Sequence, residues 1–532
     1  MEQPITPTRK LIVLPKSRHI LVPLTDSIRS LWPTTPTLPD SGTTYAVLPH
    51  DPRTQIQLRA AGIDAPAPIL FHYDWHSADG SPPFEIQKTS AASATSNQRA
   101  YNLSDMGTGK TRTALWSWRY LHELGISKKL LVVAPLSTLK FTWLSEITRL
   151  MPQYKAVVLH GLKKRRLELL AGNYDIYIIN HDGLRTIADE LHAREDIDCL
   201  VIDELAVYRN NSQRSKLMRE FVKRFVWCWG MTGRPMPNAV TDVWAQAKIL
   251  TPHRVPKFFR HAKSMLMTQV SQYKWVAKEG AIDLAFSWLQ PSVRYSLDDV
   301  VELPPAIMRT VDVELTSEQR TAYRKLSNFF AAEIKDKRVT AANAGVALGK
   351  LLQVGAGYVY TNNPEYVVLD SQPRQEMLLE VIEEADHKLI VFCPWRHLID
   401  NLSALLSNQK EPIDHAVVHG DTRKREEIFN AFQNTSQYKV LLAHPQTVHH
   451  GLTLTAATTT VWYSPVTSLE VYEQAQARIR RVGQKHKQLF LHFRASPIET
   501  HVYSMLRNKA RLQDAFLALL KEVTDPKRRT VQ

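Results

Sequence analysis

Two separated blocks in which short apolar runs alternate with helical stretches predict an α/β protein built of two parallel-sheet lobes. A glycine-rich turn heads the first block, and a paired-arginine segment lies near the end of the second. The turn is SDMGTGKT, Ser104 to Thr111, and the arginine segment is QAQARIRRVGQ, Gln474 to Gln484. Turns of the first kind bind nucleotide phosphates. An arginine pair so far downstream suggests that a second domain closes on those phosphates, as in a motor driven by a nucleoside triphosphate.

In the first block, Leu130–Ala134, Ile176–Ile179, Leu200–Asp203 and Phe225–Gly230 read as strands buried on both faces. After the glycine turn, Leu115, Trp118, Leu121 and Leu124 recur at helical spacing, and Gly125 offers a stop. In the second block the expected strands are Leu389–Cys393, Ala416–His419, Val440–Ala443, Thr460–Tyr463 and Leu489–Phe493. Thirteen of the 30 prolines fall in the first 83 residues. That region reads as short strands, Leu11–Leu14 and His19–Val22, joined by loops such as Trp32 to Asp40, in either a small module or an extended strap. The resulting layout is an accessory region at 1–81, a first lobe at 82–250, a helical connector at 251–376, a second lobe at 377–520 and a basic tail at 521–532. Within the connector, Leu351, Leu352 and Val354 read as core, and so do Trp75, Trp116 and Trp118 elsewhere.

A chain of 532 residues exceeds one typical core. Its 67 Lys and Arg against 52 Asp and Glu leave a net charge of +15. Such an excess favours a polyanionic partner, with a basic enzyme lacking one as the alternative. Cys199, Cys228 and Cys393 are far apart in apolar runs, which suggests buried thiols in a reducing compartment and gives no zinc spacing. No clustered carboxylate motif suggests a nuclease. The apolar stretch at the start is too short for a signal peptide or a membrane span, so the expected location is the cytoplasm.

The strict phosphate-loop pattern GxxxxGK[ST] fails at its first glycine, where Ser104 stands. Gly107, Thr108, Gly109, Lys110 and Thr111 keep the rest. Small residues let backbone N–H groups curl around phosphate oxygens, Lys110 would neutralise the β- and γ-phosphates, and the Thr111 hydroxyl would hold Mg²⁺. The alternative is a tight glycine turn. In CLVIDELAVYRN, Asp203 and Glu204 end an apolar strand, where ligands collect in open α/β sheets. Asp203 would hold Mg²⁺ and Glu204 would polarise an attacking water. A DE pair standing alone is more often a solvated strand end.

DMGTGKT, DELAVYRN, GMTGRPMPNAVTDVWAQ (Gly230 to Gln246) and QAQARIRRVGQ occur in the order of motifs I, II, III and VI of superfamily 2. The last two resemble those of the Swi/Snf family of helicase-like, DNA-dependent ATPases, in the compact form of its phage and bacterial members. FEIQ (Phe84 to Gln87) is similar to the upstream glutamine motif, VAPLSTL (Val133 to Leu139) to motif Ia, KLIVFCPWRHLIDNL to motif IV, HGDTRKREEIFNAFQ to the segment with a spaced arginine, Arg425, and HPQTVHHGLTLTAA to motif V. The resemblance runs from about Pro82 to Phe516.

It implies two RecA-like lobes with helical insertions. It also implies Mg-ATP as the nucleotide and duplex or branched DNA as the partner, and the two-lobe design can work as a monomer. By resemblance, Gln87 would read the adenine edge, and Arg478 and Arg481 would reach the phosphates from the second lobe, Arg481 as the better γ-phosphate finger. A basic nucleic-acid-binding face is the other reading of RIRR. Pro135, Thr232, Gly233, His450, Gly451 and Thr453 would grip the DNA backbone, a sequence-blind contact. Lys163 to Arg166 is either an added electrostatic hold or a solvated loop. Four departures bear on coupling: Ala206 replaces the usual histidine of DEAH, Arg234 replaces the threonine of TGTP, Val448 and His449 replace small residues, and Thr453 replaces asparagine. None removes a phosphate, metal or finger residue. Hydrolysis is therefore expected to survive. Strand separation, or an ATP-gated clamp with weak turnover, are the rival activities.

Overall fold

The proline-rich start of the chain folds as a four-stranded antiparallel sheet. Its strands are β1 (Ile12–Leu14), β2 (His19–Pro23), β3 (Thr37–Asp40) and β4 (Thr43–Pro49), in the order β1-β2-β4-β3. The expected loop from Trp32 to Asp40 is half wrong, because Thr37–Asp40 pairs with β4. That strand is an edge, which is where a sheet tolerates Pro39. Ile20, Val22, Ile28, Ala46, Leu48 and Leu58 are fully buried beneath the sheet, so this is a module with its own core. It is also tied to the first lobe. Gln55 accepts a hydrogen bond from the Ser96 hydroxyl at 2.8 Å, and Arg59 donates to the Ser96 carbonyl at 3.1 Å.

This computed structural model describes residues 10–40, 42–237, 239–271, 275–299, 304–335, 341–360, 366–448, 454–481 and 484–506. The chain forms two units, Met1–Val300 and Val301–Phe516. In the first, a seven-stranded sheet runs β13-β5-β10-β9-β6-β8-β7, with every pairing parallel. Its strands are β5 (Arg99–Asn102), β6 (Lys129–Ala134), β7 (Ala156–Val158), β8 (Ile176–Asn180), β9 (Ile197–Asp203), β10 (Trp227–Met231) and β13 (Ser292–Val293). A separate antiparallel pair, β11 (Met267–Gln269) with β12 (Trp275–Ala277), belongs to no larger sheet.

All four strands expected in this block are present, each shifted by at most a few residues. Continuous apolar runs suit strands covered on both faces. Leu130, Val132, Ile176 and Ile178 join one buried cluster, whereas their neighbours Leu131, Val133, Tyr177 and Ile179 are equally buried on the other side. The helix Lys110–Glu123 packs Leu115, Trp116, Trp118 and Leu121 into that first cluster, with Trp75 against it. Gly125 takes a left-handed φ of 66°, which ends the helix as expected. Lys163 to Arg166 opens a helix, Lys163–Ala171, rather than a loop. Arg166 is buried there, donating to the Gly161 and Leu159 carbonyls.

The second unit holds a six-stranded parallel sheet in the order β14-β21-β20-β17-β19-β18. Its strands are β14 (Ala306–Asp312), β17 (Lys388–Phe392), β18 (His415–Val418), β19 (Val440–Ala443), β20 (Ala457–Trp462) and β21 (Gln488–Arg494); a small antiparallel pair, β15 (Tyr358–Tyr360) with β16 (Tyr366–Val368), stands apart. The five expected strands are joined by β14, which lies in the expected helical connector. Alternation divides the sheet into two faces. Ile390, Phe392 and Leu441 pack with Phe429 and Phe432 of the helix Arg425–Asn434. Leu389, Val391 and Leu442 pack with Ile399, Leu402 and Leu406 of the helix Arg396–Ser407. Helices on both faces make the lobe doubly wound. Leu352 and Val354 are buried as expected, while Leu351 is half-buried.

One buried ion pair secures this unit. Arg374 donates to Glu499 at 2.9 Å and to the Tyr463 carbonyl at 2.6 Å, with both charged side chains almost fully buried. Glu499 also accepts from the backbone N–H groups of Ala495 and Ser496, at 2.7 and 3.1 Å, which is one half of a capping box. Removing one partner strands the other charge in a dry interior. Glu499→Ala is expected to destabilise the second unit by about 3–5 kcal/mol, read as a lower denaturation midpoint. An unchanged midpoint would show that the pair contributes nothing net.

Candidate active site

Strand order determines what meets at the carboxyl edge of the first sheet. β5, β10 and β9 are neighbours, and Met231 at the end of β10 is level with Asn102 on one side and Asp203 on the other. The three segments that follow are the glycine loop, Thr232-Gly233 and Glu204. They emerge side by side, at the edge where open α/β sheets bind ligands.

The loop closes with Gly107 and Gly109 at φ of 86° and 79°, a region that L side chains rarely adopt. Gly109 immediately precedes the helix Lys110–Glu123, so that helix points its N-terminus at the loop. A Cβ at Gly109 would lie 2.0 Å from Gln87 Nε2, so a side chain there would push the Gln87 amide aside as well as strain the backbone. Gln87 is buried. It accepts from the Phe84 N–H at 3.0 Å and donates to the Thr108 carbonyl at 3.1 Å. Thr108 in turn donates its hydroxyl to the Asp105 carbonyl at 2.8 Å. Lys110 donates to the carbonyls of Ser104 (2.6 Å) and Asp105 (2.9 Å), using two of its three N–H groups. Thr111 is half-buried at the second position of the helix.

Ser104, the departure from the strict pattern, has a structural role. It is buried, and its hydroxyl accepts the Tyr295 N–H at 3.1 Å, while Asp105 N–H donates to the Tyr295 carbonyl at 2.9 Å. The chain after β13 therefore continues the sheet pairing along the loop.

Asp203 and Glu204 diverge at the end of β9. Glu204 has a left-handed φ of 53°, uncommon outside glycine and a form of strain found at functional sites. Asp203 accepts the Glu204 N–H at 3.0 Å and the Trp143 indole N–H at 2.9 Å. Burial raises the Asp203 carboxyl above the usual carboxylate range, against the Trp143 hydrogen bond and the Lys110 charge. Burial likewise holds the Lys110 ammonium below the usual lysine range, with Glu204, Asp203 and Asp105 acting the other way. A partly buried site carrying one ammonium and two carboxylates has the donor set for a phosphate chain with a divalent cation. The loop amides, Lys110 and Thr111 suit the phosphates, and Thr111 and Asp203 carry the oxygens that would suit such a cation.

Trp143 was not legible as a site residue. It is fully buried in a π-helical turn, Leu139–Leu144, that follows Pro135 and the short 3₁₀ turn Leu136–Thr138. Such turns are rare and often functional. Pro135 accepts from the Thr138 N–H at 3.0 Å and hydroxyl at 2.9 Å.

Thr232 donates its hydroxyl to Glu204 at 2.9 Å and accepts the Arg234 N–H at 3.2 Å. This bond joins the carboxylate to the Thr232-Gly233 segment even though Ala206, in the place of the usual histidine, is buried without a polar side chain. Gly233 lies against the loop, where an added Cβ would be 3.6 Å from the Met106 nitrogen and the Ser104 carbonyl.

The other expected residues belong to the second unit. Arg478 is buried, and its carbonyl accepts the Leu454 N–H at 2.9 Å. Arg481 is half-buried, and its carbonyl accepts the Gln484 N–H at 3.0 Å. The flanking Gln484 is a strut, donating to the Thr455 and Ala457 carbonyls at 3.2 and 3.0 Å. Val448, a departure in the fifth motif, is a core residue. His449, His450, Gly451 and Thr453 lie outside the described residues. All three cysteines are free and buried. No helix among the described residues is long and apolar enough to cross a membrane.

His181, at the end of β8, shares a 2.9 Å hydrogen bond with Tyr208, three residues past Leu205. Burial and the Arg214 charge pull its pKa down to about 4 from 6.5. The unfolded chain therefore takes up this proton at a higher pH than the folded one. Stability is complete above about pH 6.5 and falls as pH drops towards 4, by about 3 kcal/mol in total. Unfolding curves across this range for His181→Gln are expected to lose that part of the slope; an identical slope would remove His181 from the acid response.

Comparison with known proteins agrees with this geometry. Residues 101–355 match the SNF2-related domain and residues 373–483 match the helicase conserved C-terminal domain. Putative protein p41 of Acyrthosiphon pisum secondary endosymbiont phage 1 is 24% identical over 444 residues, covering 78% of this chain and 94% of that one. An ATP-dependent helicase of Mycoplasma genitalium is 26% identical over 421 residues, 77% of this chain and 39% of its own length. The ISWI chromatin-remodeling complex ATPase CHR11 of Arabidopsis thaliana is 26% identical over 441 residues, 77% of this chain and 40% of its own. The chain thus spans nearly all of the phage relative but about two fifths of the other two. With both domains in order, and with the glycine loop, Asp203-Glu204 and Thr232-Gly233 aligned on adjoining strand ends, the chain belongs to the Swi/Snf-type family of superfamily 2 helicase-like ATPases.

Proposed function

We propose that the chain is a DNA-stimulated ATPase that moves along, or remodels, duplex or branched DNA. The observation that carries this reading is the hydrogen bond from Thr232 to Glu204. It joins a carboxylate suited to activating water to a segment suited to gripping DNA phosphates. In the proposed reaction Lys110 binds the β- and γ-phosphates, Gln87 supports the loop beside the adenine, and Glu204 orients the attacking water. Mg²⁺, held by Thr111 and Asp203, would neutralise charge developing on the phosphates. Arg478 and Arg481 of the second unit serve as fingers, a contribution of about 10³–10⁵ in turnover in related chemistry.

DNA phosphates at Pro135, Thr232 and Gly233 would bear on both carboxylates, while His450, Gly451 and Thr453 would supply the second unit's grip. One route is the Thr232 hydroxyl to Glu204; the other is the π-helical turn and Trp143 to Asp203. ATP binding across two lobes then favours closure and hydrolysis releases it, so alternate grips advance the protein. The phage relative supports a phage setting, in which an enzyme of this kind would serve replication, recombination or repair in the cytoplasm of a bacterial host.

Turnover measured with no nucleic acid, single-stranded DNA, duplex DNA, forked DNA and duplex RNA tests this reading. Stimulation by duplex or forked DNA is expected, and Lys110→Ala should nearly abolish it while sparing much of the DNA binding. Tight ATP-dependent DNA binding without stimulated turnover would instead identify a clamp, and displacement of a strand would identify a helicase. Trp143→Phe removes the indole N–H together with part of a buried ring. It is expected to lower turnover about tenfold to hundredfold at temperatures where melting curves show the variant still folded, its melting temperature being somewhat lower. Wild-type turnover in that variant would deny Trp143 any part in positioning Asp203.

A further inference from the structure

Between Thr251 and Gly280 the chain carries six Lys and Arg against a single carboxylate, Glu279. This segment contains the helix Phe259–Leu266 and the isolated strand pair β11–β12. Only one face of the helix is used in packing, through Ala262 and Leu266, both fully buried. At its start two phenylalanines stand in water, Phe258 65% exposed and Phe259 42%. Phe259 is anchored edge-on to Trp244 at 5.4 Å, and Trp244 is itself fixed by its indole N–H to the Pro256 carbonyl at 2.9 Å. Phe258 is thus presented from a rigid base. Two large apolar rings left in solvent beside a firm anchor indicate a binding surface.

The charges say what it binds. Lys257, Arg260 and Lys263 recur every third residue, so Arg260 and Lys263 are neighbours on the helix surface. Among the described residues none of the three is in an ion pair. Two of the aromatic rings have a cation beside them. The Lys257 ammonium is 5.5 Å from the Phe258 ring centre, and the Lys263 ammonium is 3.8 Å over the ring of Trp275 on β12. The field extends into the lobe, where burial, then Arg219 and Lys257, hold the Lys248 ammonium below the usual lysine range. Protein-binding surfaces are depleted in lysine. Aromatic platforms flanked by unpaired cations are the chemistry of single-stranded nucleic acid, where each base offers a π-face and each nucleotide a phosphate.

We propose that this protrusion holds an unpaired DNA strand, with Phe258 stacked on a base and Lys257, Arg260 and Lys263 along the phosphates. The proposal rests on the DNA-stimulated reading above and deepens it. A base in an intact duplex is already stacked, so this surface selects the single-stranded arm of a branch or fork.

The test compares equilibrium binding of the full chain to a blunt duplex, a fork of equal duplex length with unpaired arms, and a free single strand, beside duplex-stimulated ATP turnover. The wild type is expected to prefer the fork. Phe258→Ala should reduce fork and single-strand affinity about tenfold, the worth of one stacked base, while leaving duplex affinity and duplex-stimulated turnover unchanged. Arg260→Gln should make fork binding less salt-dependent by about one phosphate contact. Both residues are exposed, and melting curves confirm folding. Equal wild-type affinity for fork and duplex, or wild-type fork binding by both variants, would overturn the proposal while duplex stimulation stands. Loss of DNA stimulation in the wild type would instead overturn the reading on which it rests.

Discussion

The first unit's site depends on the register of three parallel strands. Asn102, Met231 and Asp203 end at one level because β5 and β10 pair residue for residue and β10 and β9 do the same. A slip of one residue would move a whole strand's side chains to the opposite face. It would also separate the loop that carries Lys110 from the carboxylates that oppose burial of its charge. Register is held by the clusters above and below the sheet, where Val201, Trp229 and Met231 pack on one side and Leu200 and Ile202 on the other. Packing that contains no charged group therefore sets the spacing of Lys110, Asp203 and Glu204.

In the second unit the same architecture is secured by polar struts inside the core. Arg374 and Glu499 join residues 125 positions apart, and the pair is braced by carbonyl and amide partners. Gln484 and Gln488 act similarly on the paired-arginine segment, Gln488 donating to the Ile479 carbonyl at 3.0 Å. The arginines stand between fixed points. A motif that looks like a row of catalytic residues is in part a scaffold.

What the sequence disclosed followed physical contrast. Ile176–Ile179 and Val440–Ala443 were legible because strands covered on both faces are continuous apolar runs. β14 was not, because most of its side chains are exposed and Arg309 interrupts it; β7 and β13, at three and two residues, carry no period at all. Lys110, Asp203 and Glu204 were readable from residue type and spacing. Trp143 was not, since an indole in an apolar stretch reads as packing until a π-helical turn brings its N–H to Asp203. Arg166 misled in the opposite direction. Within a run of four basic residues it looked like surface charge, yet it closes a buried bend beside β8 by donating to Asn180 and backbone carbonyls.

Ser104 gives the loop a second attachment that a glycine would lack. Its hydroxyl and the Asp105 N–H grasp Tyr295 from two sides, and Tyr295 lies five residues before the first unit ends at Val300. The strand leaving the unit and the loop cradling Lys110 are therefore one hydrogen-bonded piece. A displacement of the chain at Tyr295 would pull on the glycine loop at Ser104 and Asp105 directly, without passing through the sheet.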